Sequence, residues 1–114
     1  MNFENPLFLL PVLVGPIFMV SGLLLLKFPP KKINSLYGYR SKSAMKDLER
    51  WRFAQRYAGK VTTWSGLAYT STSLVGAYTE GHEIICLAVA LGLLIALCGS
   101  IFYLTERKLK ERFK

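Results

Sequence analysis

The chain has 114 residues, 52% of them hydrophobic, and a formal net charge of +8. Charge is segregated in blocks between apolar runs instead of being interleaved at a period of 2 or 3.6, which excludes the pattern of a water-soluble domain and points to a bilayer. The basic residues come with no zinc-finger, homeodomain or RNA-binding signature, so nucleic acid is not an expected partner.

The fold class expected is an all-α membrane protein. It has three transmembrane helices plus a cytoplasmic amphipathic helix between spans one and two, in a single membrane domain over 1–114. Span one covers about 7–28. Asn5 supplies a capping side chain and Pro6 the first helical position. Pro11 and Gly15-Pro16 lie inside it, where a membrane helix tolerates them, with a kink expected near Gly15-Pro16. Pro29-Pro30 ends the span. Before Lys27 the only charged side chain is Glu4, and a stop-transfer flank follows, so the segment is expected to be a retained helix and not a cleaved signal.

The loop over 29–60 is long for so small a chain, and loops of that length carry structure or function. A helix is expected over about 44–58, with Ser41 or Ser43 as cap and Gly59 as its stop. Ala44, Leu48, Trp51, Gln55 and Ala58 share one face of it. That face suits either the inner membrane surface, with Trp51 as interfacial anchor, or a lid over the ends of the spans. Ahead of it, Gly38 permits a tight turn between Tyr37 and Tyr39. Asn34 can hold a turn, and Arg40 offers a donor fork for carboxylate, phosphate or carbonyl oxygens.

Span two, about 61–78, contains no charge but seven Ser and Thr hydroxyls, suited to bonds across helices or back to its own carbonyls. A re-entrant or interfacial segment is the alternative. Span three, about 84–104, carries Ala88, Gly92, Ala96 and Ser100 at every fourth position. Such a stripe admits a close neighbour, preferably the first two spans of the same chain, alternatively a second copy in a homo-oligomer. Cys86 and Cys98 stand about 18 Å apart on that helix, too far for a mutual disulfide, and read as apolar fillers. His82 has no metal-ligand neighbourhood and falls in the short loop 79–83.

Basic residues concentrate in 31–60 and in the tail 105–114 (Arg107, Lys108, Lys110, Arg112 and Lys114), and none lies in 79–83 or before span one. The positive-inside rule then puts the N-terminus outside and both basic blocks in the cytoplasm, against anionic headgroups of the plasma (inner) membrane. The spans hold no Asp, Glu, Lys or Arg apart from Lys27 near an end, which disfavours a proton-coupled transporter. No catalytic triad, phosphate loop or metal spacing is present. The expectation is therefore a non-enzymatic protein without a cofactor.

The string Asn34-x-x-Tyr37-Gly38-Tyr39-Arg40-Ser41-x-Ser43, followed by Trp51-x-x-Ala54-Gln55 and Gly59-Lys60, resembles the signature of the SdpI family. In that family a Gly-x-Arg-Thr/Ser turn precedes a Trp-x-x-Ala-Asn helix between membrane spans, and the founding member protects a sporulating bacterium against its own secreted killing peptide. Gln55 stands where that pattern has asparagine, and the chain corresponds to one module of a larger founder. The resemblance implies immunity to a peptide toxin, or signalling through a membrane partner, with Asn34, Tyr37, Gly38, Tyr39, Arg40, Ser41, Ser43, Trp51, Ala54 and Gln55 as partner-binding or structural motif. A subunit or scaffold of a larger membrane complex, docking through the stripe of span three, is the alternative reading.

Overall fold

The computed structural model describes residues 3–34 and 37–113. Ser35 and Leu36 in the loop, and the expected tail cation Lys114, lie outside the described residues. Three helices follow one another: α1 (Pro6–Lys27), α2 (Leu48–Ala77) and α3 (Glu83–Arg112). No strand occurs among the described residues.

α1 starts as its sequence dictates. The Asn5 side chain accepts from the Leu7 N–H at 2.8 Å, with Pro6 in the first turn, and the helix runs unbroken through Pro11 and Pro16. α2 departs from expectation. No separate helix covers 44–58: turns occupy that region up to Asp47, and one 30-residue helix then runs straight through Gly59. Its cap is neither Ser41 nor Ser43 but Asp47, whose extended backbone lets Oδ1 accept from the Arg50 N–H at 2.8 Å.

Gly59 fails to stop the helix because its missing side chain is used for packing. A Cβ there would stand 3.0 Å from Leu26 Cγ of α1. Glycine inside a helix costs about 1 kcal/mol relative to alanine, and the close approach it permits offsets that cost. The same device recurs along the whole α1·α2 seam. Gly15 faces Gly66 and Gly22 faces Gly59, so a step of seven along α1 matches a step of seven back along α2. A Cβ on Gly66 would meet the Gly15 carbonyl oxygen and the Met19 nitrogen at 2.6 Å each. One on Gly22 would meet the Gly59 carbonyl oxygen at 2.7 Å. Small residues on facing positions let two backbones touch, the usual way to join helices in lipid.

The hydroxyls of α2 return to their own helix. Thr63, Thr70 and Ser71 donate to the carbonyls of Gly59, Gly66 and Leu67, four residues back. Tyr69 instead crosses to α3, its buried hydroxyl donating to the Ala90 carbonyl at 2.8 Å. α3 turns Cys86, Ala90, Thr105 and Leu109 inward. The stripe Ala88, Gly92, Ala96 and Ser100 is exposed, as is Cys98, and a Cβ on Gly92 would meet nothing within 4 Å. The expected packing of that stripe against the first two spans is therefore corrected. The inward face is offset by two residues, about 200° around the helix, and carries Ala90, whose carbonyl accepts the Tyr69 hydroxyl.

α1 and α3 are each long and apolar enough, by length and composition, to cross a membrane. α2 is not, since charges fill its first half and hydroxyls its second. Large apolar side chains stand outward along α1 and α3, among them Leu13, Ile17, Val20, Ile84 and Ile95. A soluble monomer does not present so continuous an apolar surface to water. The molecule is 50 Å long, more than a hydrocarbon thickness of roughly 30 Å. At its basic end the first half of α2 and the last turns of α3 pack together.

Candidate functional site

The basic end is built on the loop between α1 and α2. Asn34 folds the chain first: its Oδ1 accepts from the Tyr37 N–H at 2.8 Å and its Nδ2 donates to the Lys32 carbonyl at 3.0 Å. The Tyr37 hydroxyl then reaches back to the end of α1. It lies 2.9 Å from the Phe28 carbonyl oxygen and 3.2 Å from that of Leu24, and so supplies a donor to carbonyls that a helix end leaves open.

Gly38 has φ of +99°, and a Cβ on it would collide with Gln55 Oε1 and lie 2.9 Å from Pro30 Cγ. Both the backbone conformation and the space require glycine. The turn delivers Tyr39 to Gln55. The Tyr39 N–H donates to Gln55 Oε1 and the Gln55 Nε2 donates to the Tyr39 carbonyl, both at 2.6 Å. Gln55 is fully buried, and this reciprocal pair satisfies its amide as one rung of a sheet would.

The Tyr39 ring continues to α3, packing on Phe102 at 6.2 Å between centroids, and its hydroxyl donates to Glu106 Oε1 at 2.7 Å. Burial, then the bond to Glu106, push the phenol well above its ordinary range. Glu106 has opposing influences. Burial raises its pKa, but hydrogen bonds from the hydroxyls of Ser41, Tyr39 and Ser43 and the charge of Lys110 outweigh it and leave the carboxyl below its usual range. Ser41 also accepts from the Ala44 N–H at 3.1 Å, so the serine expected as a helix cap closes a turn instead.

Beneath the turn is a small core of Ala44, Trp51, Ala54 and Leu109, flanked by Tyr39, Phe53 and Phe113. Trp51 is fully enclosed, and its Nε1 donates to the Pro30 carbonyl at 2.8 Å. The interfacial anchor expected of it is corrected: the indole is inside the protein, bonded to the chain that leaves α1, and the face of α2 that carries it packs on the loop and on α3. Leu48, expected on that face, is exposed. Arg50 pairs with Asp47 and lies over the Phe113 ring at 5.0 Å. The Arg50 N–H on the cap, with burial opposing it, leaves the Asp47 carboxyl below its ordinary range.

Of the residues singled out from the sequence, the fold thus gathers Gly38, Tyr39, Ser41, Ser43 and Gln55 into one network, with Trp51 and Ala54 under it and Asn34 and Tyr37 beside it. Arg40 is exposed and lines, with Ser41, Met45 and Phe102, a hollow of about 500 Å³. The stripe Ala88–Ser100 does not join the site. Glu106 was missed by sequence reasoning, although an acid among the cations that end α3 is a signal. No group of three or more His, Cys, Asp or Glu side chains that could hold a metal occurs among the described residues.

A model of the SdpI/YfhL protein family matches residues 31–104. The chain belongs to the SdpI/YfhL family. The matched stretch starts just beyond α1, takes in the motif from Asn34 to Gln55 and ends within α3, short of Glu106. The chain is also similar to "Uncharacterized protein YfhL" of Bacillus subtilis (strain 168), with 38% identity over 96 residues, covering 84% of this chain and 82% of that protein. No solved structure matches. Family membership and the two long apolar helices together mark a membrane protein.

Proposed function

We propose that this SdpI/YfhL protein is a non-enzymatic, multi-pass plasma-membrane protein that confers immunity or resistance to a peptide toxin, or signals through a membrane partner. In this reading it spans the bilayer three times, with α1, the second half of α2 and α3, the N-terminus outside and the basic end in the cytoplasm. The observation that carries the reading is the Tyr39–Gln55 pair. Two part-buried hydrogen bonds fix the backbone next to Arg40, and a turn held so firmly at the basic end is a recognition surface more than a linker. The clustering of cations at that end supports the orientation.

The test is growth under challenge with membrane-active secreted peptides, comparing cells that make the wild type and Arg40→Ala. Protection is expected to vanish in the variant while the protein still inserts; full protection by the variant would count against the role. Reporters fused to the two ends are expected in opposite compartments, and a shared compartment refutes three spans.

A second reading, a subunit or scaffold of a larger membrane complex, is favoured by the exposure of Ala88, Gly92, Ala96 and Ser100. Replacing Gly92 with leucine and measuring particle size in detergent decides it: loss of a larger species supports assembly, and an unchanged size opposes it.

A further inference from the structure

A second hollow at the basic end has a composition that the toxin reading does not use. Immediately past α1, Pro29 and Pro30 turn the chain across α2, and Lys31 follows. Together with Arg52 and Arg56 they enclose about 240 Å³ above Leu25 and Leu26, the last apolar residues of α1. We propose that this pocket binds the phosphate headgroup of an anionic phospholipid.

Four features carry the assignment. The first is charge: three cations line the hollow and no carboxylate does. Among the described residues none of the three forms an ion pair, the recorded pairs being Arg50–Asp47 and those of Arg107 and Lys108 with Glu111. Glu49 lines the adjoining hollow, which Arg52, Arg56 and Arg112 also border, so one carboxylate stands against three cations there.

The second is geometry. Arg52 and Arg56 are one helical turn apart and so reach from the same face of α2. The glycine register that sets Gly22 against Gly59 continues to Leu25 beside Arg56 and Pro29 beside Arg52. The position of the proline corner is fixed by the Trp51 indole, which donates to the Pro30 carbonyl at 2.8 Å. The prolines have no N–H, so they add no donor that would favour one headgroup over another, and the cations set the selectivity.

The third is size, since about 240 Å³ falls below the roughly 300–1,000 Å³ of drug-sized ligand sites and suits a phosphate with its glycerol. The fourth is depth: a floor of leucines from the final turn of a membrane-crossing helix, under a rim of arginines, matches the level where acyl chain gives way to phosphate. Basic pockets between membrane helices are known takers of such headgroups. The proposal rests on the membrane placement of α1 and is independent of the toxin reading and of which end faces the cytoplasm.

The test uses the full chain purified in detergent, with phosphatidylglycerol or phosphatidylcholine added and retention measured by native mass spectrometry. Selective retention of phosphatidylglycerol is expected in the wild type. Each Lys or Arg removed from the site should weaken it about fivefold, so that Arg52→Gln with Arg56→Gln loses about twenty-fivefold. Arg107→Gln with Lys108→Gln removes two charges from the tail and should leave retention intact. Equal retention of the two lipids, or equal loss in the tail variant, overturns the site as diffuse surface charge. Displacement of the lipid by millimolar inorganic phosphate overturns the lipid assignment in favour of a free anion. If the double variant does not purify, Lys31→Gln, outside any helix, decides through its own fivefold loss or lack of one. Because binding is read in detergent, its outcome stays separate from that of the topology reporters.

Discussion

Asn5 and Gln55 are both fully buried amides, one at each end of the bundle, and they are used differently. Asn5 caps its own helix and donates outward to the Thr79 carbonyl at 3.2 Å and towards Cys86 Sγ at 3.5 Å. It joins the start of α1, the end of α2 and the start of α3, but with long bonds and one sulfur acceptor. Gln55 gives both halves of its amide to a single residue at 2.6 Å, and that residue is then tied to Glu106. The first end gathers helices; the second defines the shape of a loop. A protein that needed only to stay together in a bilayer would have little use for the second arrangement, which is why the turn at 37–41 is the better place to look for function.

Several changes break or sharpen that contrast. The largest effect is expected where both ends depend on the same seam. Gly66→Val drives a side chain into the backbone of Gly15 and Met19, and should cost about 3 kcal/mol or more, read as a collapse of the thermal transition in detergent. Gln55→Leu comes next. It leaves the Tyr39 N–H and carbonyl without partners and should cost about 2–3 kcal/mol, with amide exchange at 37–41 accelerated and exchange in α1 little changed. Asn5→Ala should cost about 1–2 kcal/mol, with faster exchange confined to the opposite end. If Asn5→Ala proved more damaging than Gln55→Leu, the contrast would be inverted.

Tyr39→Phe is the smallest change, about 1 kcal/mol, and it carries a pH signature. The Glu106 carboxyl is held below its ordinary value of 4.5. Its contribution is therefore present above that pH and lost as pH falls through the depressed folded value. The Tyr39 phenol is raised above 10.0, so its contribution is present below that pH and lost as pH rises through the raised folded value. Thermal stability should fall at both extremes in the wild type. In Tyr39→Phe the alkaline fall should shrink, and the acid fall should weaken because Glu106 has lost one of its donors.

Much of the bundle was legible beforehand. The start of α1 at Asn5-Pro6, the apolar run of α3 and the motif around Tyr39 follow from local patterns that a chain carries wherever it is placed. Other expectations failed because they needed a partner surface. Gly59 read as a stop when judged alone, and became the middle of a helix once Leu26 lay against it. Ala88 to Ser100 read as an inward stripe by spacing, but spacing gives a periodicity and not a rotation. Trp51 read as a membrane anchor because an indole on an apolar helix face suits an interface, and only the chain leaving α1 shows where its N–H goes. Glu106 escaped notice because an acid near a helix end is ordinary until three hydroxyls converge on it.

The sequence alone pointed to the solvent, by sorting apolar and charged residues into blocks, and to the turn, by setting a glycine between two tyrosines. The tertiary structure decided which faces meet. Helix contacts in lipid depend on where backbones approach closely, and buried amides depend on which partner lies within 3 Å. Both are properties of elements distant in sequence, and no local periodicity encodes them.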